Sequence, residues 1–191
     1  FFDIGANVGQ SFAWAATQPH DYRDYLWTCF EPSPRHFAEL LGTITEFAKR
    51  GYRVRVCPFG LAGKNAVVPL FEKDDAMGDS LHAWTKSDHA PANLSAGYMV
   101  MVATRSLASA ILELTAPDDT VILDIDAEGA EYEMLMNLGA VPEAMRRVRR
   151  ILCEFHHVKG RDCSERKKEL LAHYAAKGLP IESRGLQLRP G

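Results

Sequence analysis

FFDIGANVGQS, residues 1–11, is the stretch on which the reading of the fold turns. Phe1, Phe2 and Ile4, with Asp3 among them, form a short apolar strand that runs straight into a loop of small residues. Such a junction invites a nucleotide-like ligand. Working outward, residues 11–17 read as a helix, and LWTCFE (26–31) as a second strand stopped by Pro32 and Pro34. A helix follows, with Phe37, Leu40, Leu41, Ile44, Phe47 and Ala48 at helical spacing and Gly51 at its end. YRVRVCPF (52–59) is a third strand and residues 67–71 look like an extra one. YMVMVAT (98–104) is again strand-like, SLASAILELTA (106–116) helical, and TVILDID (120–126) a nearly continuous apolar strand of the kind buried on both faces. EGAEYEMLMNLG (128–139) is helical, RILCEFH (150–156) a further buried strand, SERKKELLAHYAAKG (164–178) an amphipathic helix, and LPIESRGLQL (179–188) one last strand.

Strands alternating with helices imply a doubly wound, mostly parallel α/β sheet, with ligands at the carboxyl ends of its strands. The acids and histidine at those ends are Asp3, Glu31, Asp126 with Glu128, and His156. With 191 residues, the chain suits a single domain over 1–191. Residues 72–97 are long, polar and aperiodic, which suits a cap or substrate-recognition insertion; His82, Trp84 and His89 there suit contact with a sugar or another flat apolar face, and Trp84 equally suits anchoring the segment to the core.

Composition excludes several classes. Hydrophobic residues make up 47% and charged residues 25%, as in an ordinary globular protein. A net charge of -3 gives no case for nucleic acid, and the run Arg146, Arg147, Arg149, Arg150 reads as a solvated helix end beside a buried strand. No apolar stretch approaches the roughly 20 residues of a membrane span. The four cysteines are scattered without a CxxC pair, and Cys29, Cys57 and Cys153 sit in apolar runs, so reduced thiols and a cytoplasmic setting are expected. The chain begins inside a strand without Met, so it is expected to be a fragment with its last strands truncated.

The first loop narrows the ligand. A P-loop needs GxxxxGK[ST], and no lysine follows Gly5 or Gly9 in that register. A dinucleotide loop wants GxGxxG, but the second and third positions after Gly5 are Asn7 and Gln10. What remains is Asp3-x-Gly5-x-Asn7-x-Gly9. A ligand without a pyrophosphate needs no lysine, an acid at the strand end can accept bonds from an amino group, and small residues admit close backbone approach.

DIGANVGQS, FEPSP and LDIDAEGAEYEML occur in that order, each at an expected strand end. Together they resemble the FkbM-type family of class I S-adenosylmethionine-dependent methyltransferases, as do PFGLAGKN (58–65) and GDSL (78–81). The resemblance implies a Rossmann-like fold and methyl transfer from S-adenosyl-L-methionine, usually to a hydroxyl oxygen of a sugar, glycolipid or polyketide-like metabolite. It places the donor on Asp3, Gly5, Ala6, Asn7, Gly9, Ser11, Glu31 and Asp126, with Glu31 on the ribose hydroxyls. Asp124 departs from the pattern, standing where the family often has lysine.

In-line transfer from a sulfonium needs mostly orientation, and a hydroxyl acceptor gains from a general base. Asp126 is expected at the donor, Glu128 on the acceptor side and His156 as base, with Glu131 a helix-start charge. Asp124, Asp126, Glu128 and His156 could suggest a divalent ion, but Asp124 and Asp126 alternate along a strand without a loop-type ligand pattern, so metal independence is expected. A non-catalytic binding domain of the same fold and an NAD-dependent oxidoreductase are the alternatives.

Overall fold

The computed structural model describes residues 1–15, 17, 22–72, 79–81, 99–158 and 162–183. Six strands form one all-parallel sheet: β1 (Phe2–Ile4), β2 (Leu26–Phe30), β3 (Arg53–Cys57), β7 (Val121–Ile125), β8 (Val148–Cys153) and β9 (Ile181–Ser183), in the order β3-β2-β1-β7-β8-β9. The chain moves outward from β1 to β3, then returns to lay β7 on the other side of β1. That reversal makes the β1/β7 seam the switch point of the sheet, where the strands' carboxyl ends leave a crevice.

Strand alternation sorts the side chains onto two faces. Phe2, Ile4, Phe30, Leu123 and Ile125 join the core under α3 (Leu107–Leu114), α4 (Glu131–Gly139) and α6 (Cys163–Ala176). Phe1, Trp27 and Cys29 face the other way and pack with Phe12 of α1 (Gln10–Ala15) and with Leu40, Ile44 and Phe47 of α2 (Pro34–Lys49). The start of α2 follows from local chemistry: the Ser33 hydroxyl accepts the His36 N–H, and Pro34 stands where a missing N–H costs nothing. Of its expected apolar face, Leu40, Ile44 and Phe47 are buried, while Leu41 is exposed and His36 is buried in addition. All four cysteines are free and buried.

A second sheet was only half legible. β4 (Gly60–Ala62), β5 (Ala66–Phe71) and β6 (Met99–Ser106) run in the order β4-β6-β5, with β4 parallel and β5 antiparallel to β6. β4 has three residues and no alternation, and it is a strand only because β6 pairs with it. Pro69 is tolerated because β5 lies at the edge. The short helix α5 (Pro142–Arg147) ends within the arginine run, directly before β8, as the reading of that run as a helix end beside a strand expects. Its Arg147 corrects the reading of the arginine run: it is buried and donates to the Leu112 and Thr115 carbonyls at the end of α3, while Arg146, Arg149 and Arg150 are exposed. Most of 72–97, including His82, Trp84 and His89, and the chain beyond Ser183 lie outside the described residues. Among the described residues, no helix is long and apolar enough to cross a membrane.

Candidate functional site

The β1–α1 loop is built from residues that accept unusual backbone angles. Gly5, Asn7 and Gly9 all have positive φ, at 80°, 49° and 94°. Asn is among the few residues with a side chain that visits this region readily, which explains its place between two glycines. Gly5 has a second constraint, since a Cβ there would stand 1.9 Å from the Asp126 carbonyl oxygen. Asp126 N–H donates to the Ile4 carbonyl at 3.0 Å, so the ends of β1 and β7 are locked together.

Gly5, Asn7, Glu31, Asp126 and Glu128 line one crevice at the switch point. The other expected donor residues lie behind it. Ala6, Asp3 and Ser11 are buried, and the Ser11 hydroxyl donates to Asp3 Oδ1 at 3.0 Å, so Asp3 fastens the loop to the first turn of α1. Alternation is the cause: Phe2 and Ile4 take one face of β1 and Asp3 takes the other. Gly9 packs against Thr43 and Leu40 of α2. Asp124, beside Asp3 in the sheet, is buried as well.

Glu31 is almost fully buried, and its two oxygens accept the N–H groups of Asn7 and Ser33, each at 2.8 Å. Burial pushes its carboxyl up to about 7; the two N–H bonds work against that rise, and the charges of Asp79 and Glu72 add to it. Asp79, unforeseen in the sequence, also lines the crevice, 3.3 Å from Nδ1 of the buried His36. Ser80 pairs with Phe71 through two backbone hydrogen bonds, and its hydroxyl donates to the Glu128 carbonyl at 2.7 Å.

His156 lies among four carboxylates. Its Nε2 is 3.5 Å from Asp126, 3.7 Å from Glu128 and 3.9 Å from Glu154, and its Nδ1 is 3.5 Å from Glu131. Glu131 has no exposure and accepts the N–H groups of Gly129 and His156 at 2.8 and 2.6 Å, a cross-link that its reading as a helix-start charge did not contain. Burial disfavours the imidazolium, but the close approach of Glu131 to Nδ1 and the charges of Glu128, Glu131 and Asp126 outweigh it and carry His156 up to about 9. Asp126, Glu154 and His156 offer ligand atoms within 4.8 Å of one another, a spacing a divalent ion accepts. Such an ion would first have to displace the imidazole proton.

The raised pKa has a consequence for stability. Because the folded value exceeds the ordinary 6.5, the stabilisation is complete below about pH 6.5 and is lost as pH rises through about 9. Its size is about 3 kcal/mol. Urea unfolding from pH 6.5 to 9.5 should show this loss in the wild type and a much flatter profile in His156→Gln. Parallel profiles would mean that the histidine is not held as a cation.

A six-stranded parallel sheet flanked by helices, with its crevice at the strands' carboxyl ends, is the Rossmann-like fold of class I methyltransferases. A sequence profile of the methyltransferase FkbM domain matches residues 3–177, and the chain belongs to that family, whose methyl donor is S-adenosylmethionine. No curated protein and no solved structure matches the chain.

Proposed function

We propose that this methyltransferase acts on a hydroxyl oxygen of a small-molecule or glycan acceptor, such as a sugar, glycolipid or secondary metabolite. The observation that carries the reading is the pair Asp126 and Glu128, which face the same crevice as Gly5, Asn7 and Glu31. The groups present suit the donor. Gly5 brings bare backbone to the crevice, and Glu31 keeps lone pairs beyond the two N–H bonds it accepts, enough for ribose hydroxyls. When bound, S-adenosylmethionine supplies a methyl group already activated on a sulfonium.

Two tasks remain for the chain: orientation and removal of the acceptor's proton. Asp126, at the β1/β7 seam, orients the donor. Glu128 takes the hydroxyl proton on its carboxylate. His156 is poorly suited to that step, because an imidazolium at neutral pH has no lone pair to offer. Its charge instead holds Asp126 and Glu128 side by side, so no metal is needed to offset them. Asp3, Ala6, Gly9 and Ser11 serve the donor by holding the loop in shape.

Calorimetry with S-adenosylhomocysteine and NAD tests the reading. S-Adenosylhomocysteine should bind and NAD should not. The reverse result would favour an oxidoreductase, and silence with both a non-catalytic domain. Glu31→Ala should weaken S-adenosylhomocysteine binding at least ~tenfold in a folded protein, since each hydroxyl bond to a charged carboxylate contributes roughly 1.5–3 kcal/mol. Those bonds favour the ionised carboxylate, so wild-type affinity should rise with pH through about 7. At pH 6 about a tenth of Glu31 is ionised, which makes binding about tenfold weaker than at pH 8. An unchanged dissociation constant in Glu31→Ala would take Glu31 out of the site.

A further inference from the structure

The peptide group between Glu128 and Gly129 is held at both polar ends by side chains. Its carbonyl accepts the Ser80 hydroxyl at 2.7 Å, and its N–H donates to Glu131 at 2.8 Å. It is the central peptide of a tight turn closed by the Ala130 N–H on the Ala127 carbonyl at 3.0 Å. Both central residues have positive φ, 46° at Glu128 and 104° at Gly129, as in mirror-image turns. Glycine takes that conformation freely; a long side chain does not. Left to itself, Glu128 would relax to negative φ, and its Cβ would swing to a new direction.

The two clamps are themselves fixed. Ser80 is 2% exposed and paired with Phe71, and Glu131 is fully buried with its second oxygen on the His156 N–H. One clamp comes from a segment 48 residues away, the other from the start of α4. A turn needed only to connect β7 to α4 would be better served by residues without a conformational penalty. A carboxylate on the strained residue, clamped from both sides and facing the crevice, points to a demand on where it sits.

We propose that Ser80 and Glu131 are positioning residues that act through Glu128, holding its backbone left-handed so that its carboxylate meets the acceptor side of the crevice. The inference rests on the reading of Glu128 as the base, and it names two residues that never touch the substrate. It also gives the GDSL segment a task. Asp79 stands beside Glu31 on the donor side while Ser80 holds Glu128, so one short strap reaches both halves of the site.

A nuclear magnetic resonance titration of the His156 ring tests this without knowledge of the acceptor, because Glu128 is one of the carboxylates that hold that ring's proton. Ser80→Ala should lower the His156 midpoint by about half a pH unit or more, as Glu128→Gln does, and the double variant should fall no further than Glu128→Gln alone. Glu131→Gln, if it folds, removes its own charge as well and should lower the midpoint more. Should Ser80→Ala fail to fold, Ser80→Cys, with its weaker donor, takes its place under the same comparison. A midpoint unchanged by loss of the Ser80 hydroxyl, or lowered equally with and without the Glu128 carboxylate, would overturn the proposal. S-Adenosylhomocysteine calorimetry on the same samples separates the two readings: failure of the wild type to bind would sink the methyltransferase site, whatever the titration shows.

Discussion

Glu128→Gln is expected to fold, to bind S-adenosylhomocysteine within about threefold of wild type, and to lose ~10²–10⁴-fold in methyl transfer, the usual contribution of a general base. The backbone bonds that shape its turn, from Ser80 and to Glu131, do not involve its carboxylate and survive the amide. What the substitution removes is the basic oxygen 3.7 Å from His156 Nε2. If the residue were instead a helix-start charge, it would contribute only ~0.3–1 kcal/mol of stability and nothing to catalysis. The two roles are told apart by what disappears. Transfer to an identified hydroxyl acceptor, or slow hydrolysis of the donor in its place, gives the rate, and thermal melting gives the stability. Full turnover with a lowered melting temperature would make Glu128 structural.

The largest structural effect is expected from Gly5→Ala. A methyl group at this position meets the Asp126 carbonyl oxygen at 1.9 Å and its carbon at 3.0 Å, and both are backbone atoms that no rotamer change can move. The residue also sits at φ 80°, which costs a side chain about 1–2 kcal/mol. Overpacking typically adds about 1–3 kcal/mol. The variant can relieve the clash only by parting the β1–α1 loop from the end of β7, so loss of donor binding should accompany the loss of stability. Gly42→Ala is the control: nothing lies within 4 Å of its added Cβ, in the middle of α2, and it should stabilise by about 0.5–1 kcal/mol. Urea unfolding and S-adenosylhomocysteine calorimetry on both variants decide the matter. A Gly5→Ala protein as stable and as competent as wild type would mean that the seam is not closed as described.

The parallel sheet was legible because each of its central strands is a dense apolar run followed by an amphipathic helix, a pattern few other architectures satisfy. Glu31 and Asp126 were legible as crevice residues because a carboxylate closing a buried strand is costly without a partner or a use. Asp3 satisfied the same criterion, yet it lies under the loop. Only the pairing of its neighbours shows that Phe2 and Ile4 claim the other face, and in a three-residue strand the alternation is too brief to assign from sequence. His156 was visible as a strand-end histidine, but its charge was not. The groups that fix it lie on Asp126, Glu128, Glu131 and Glu154, which reach the ring from two strand ends and a helix start. Ser80 and Asp79 show no role in the sequence, because their partners Glu128 and His36 lie more than forty residues away in either direction. Arg147 failed for the same reason: the carbonyls it caps belong to another helix.

The seam between β1 and β7 also sets the order in which the molecule can come into being. β1 finds β2 nearby, Phe2 against Thr28, but its other partner is Leu123. During synthesis the glycine loop and Glu31 therefore exist long before the wall that Asp126 gives them, and the crevice has only one side until β7 arrives. Pairings between such distant segments slow folding, since the intervening chain must be confined before any contact rewards it. A molecule that binds only across the finished seam favours the closed chain by mass action, by about 2.7 kcal/mol at a hundred times its dissociation constant. If the methyl donor binds across this seam as proposed, it is more than a reagent: it is a clasp on the longest-range strand pairing among the described residues of the central sheet.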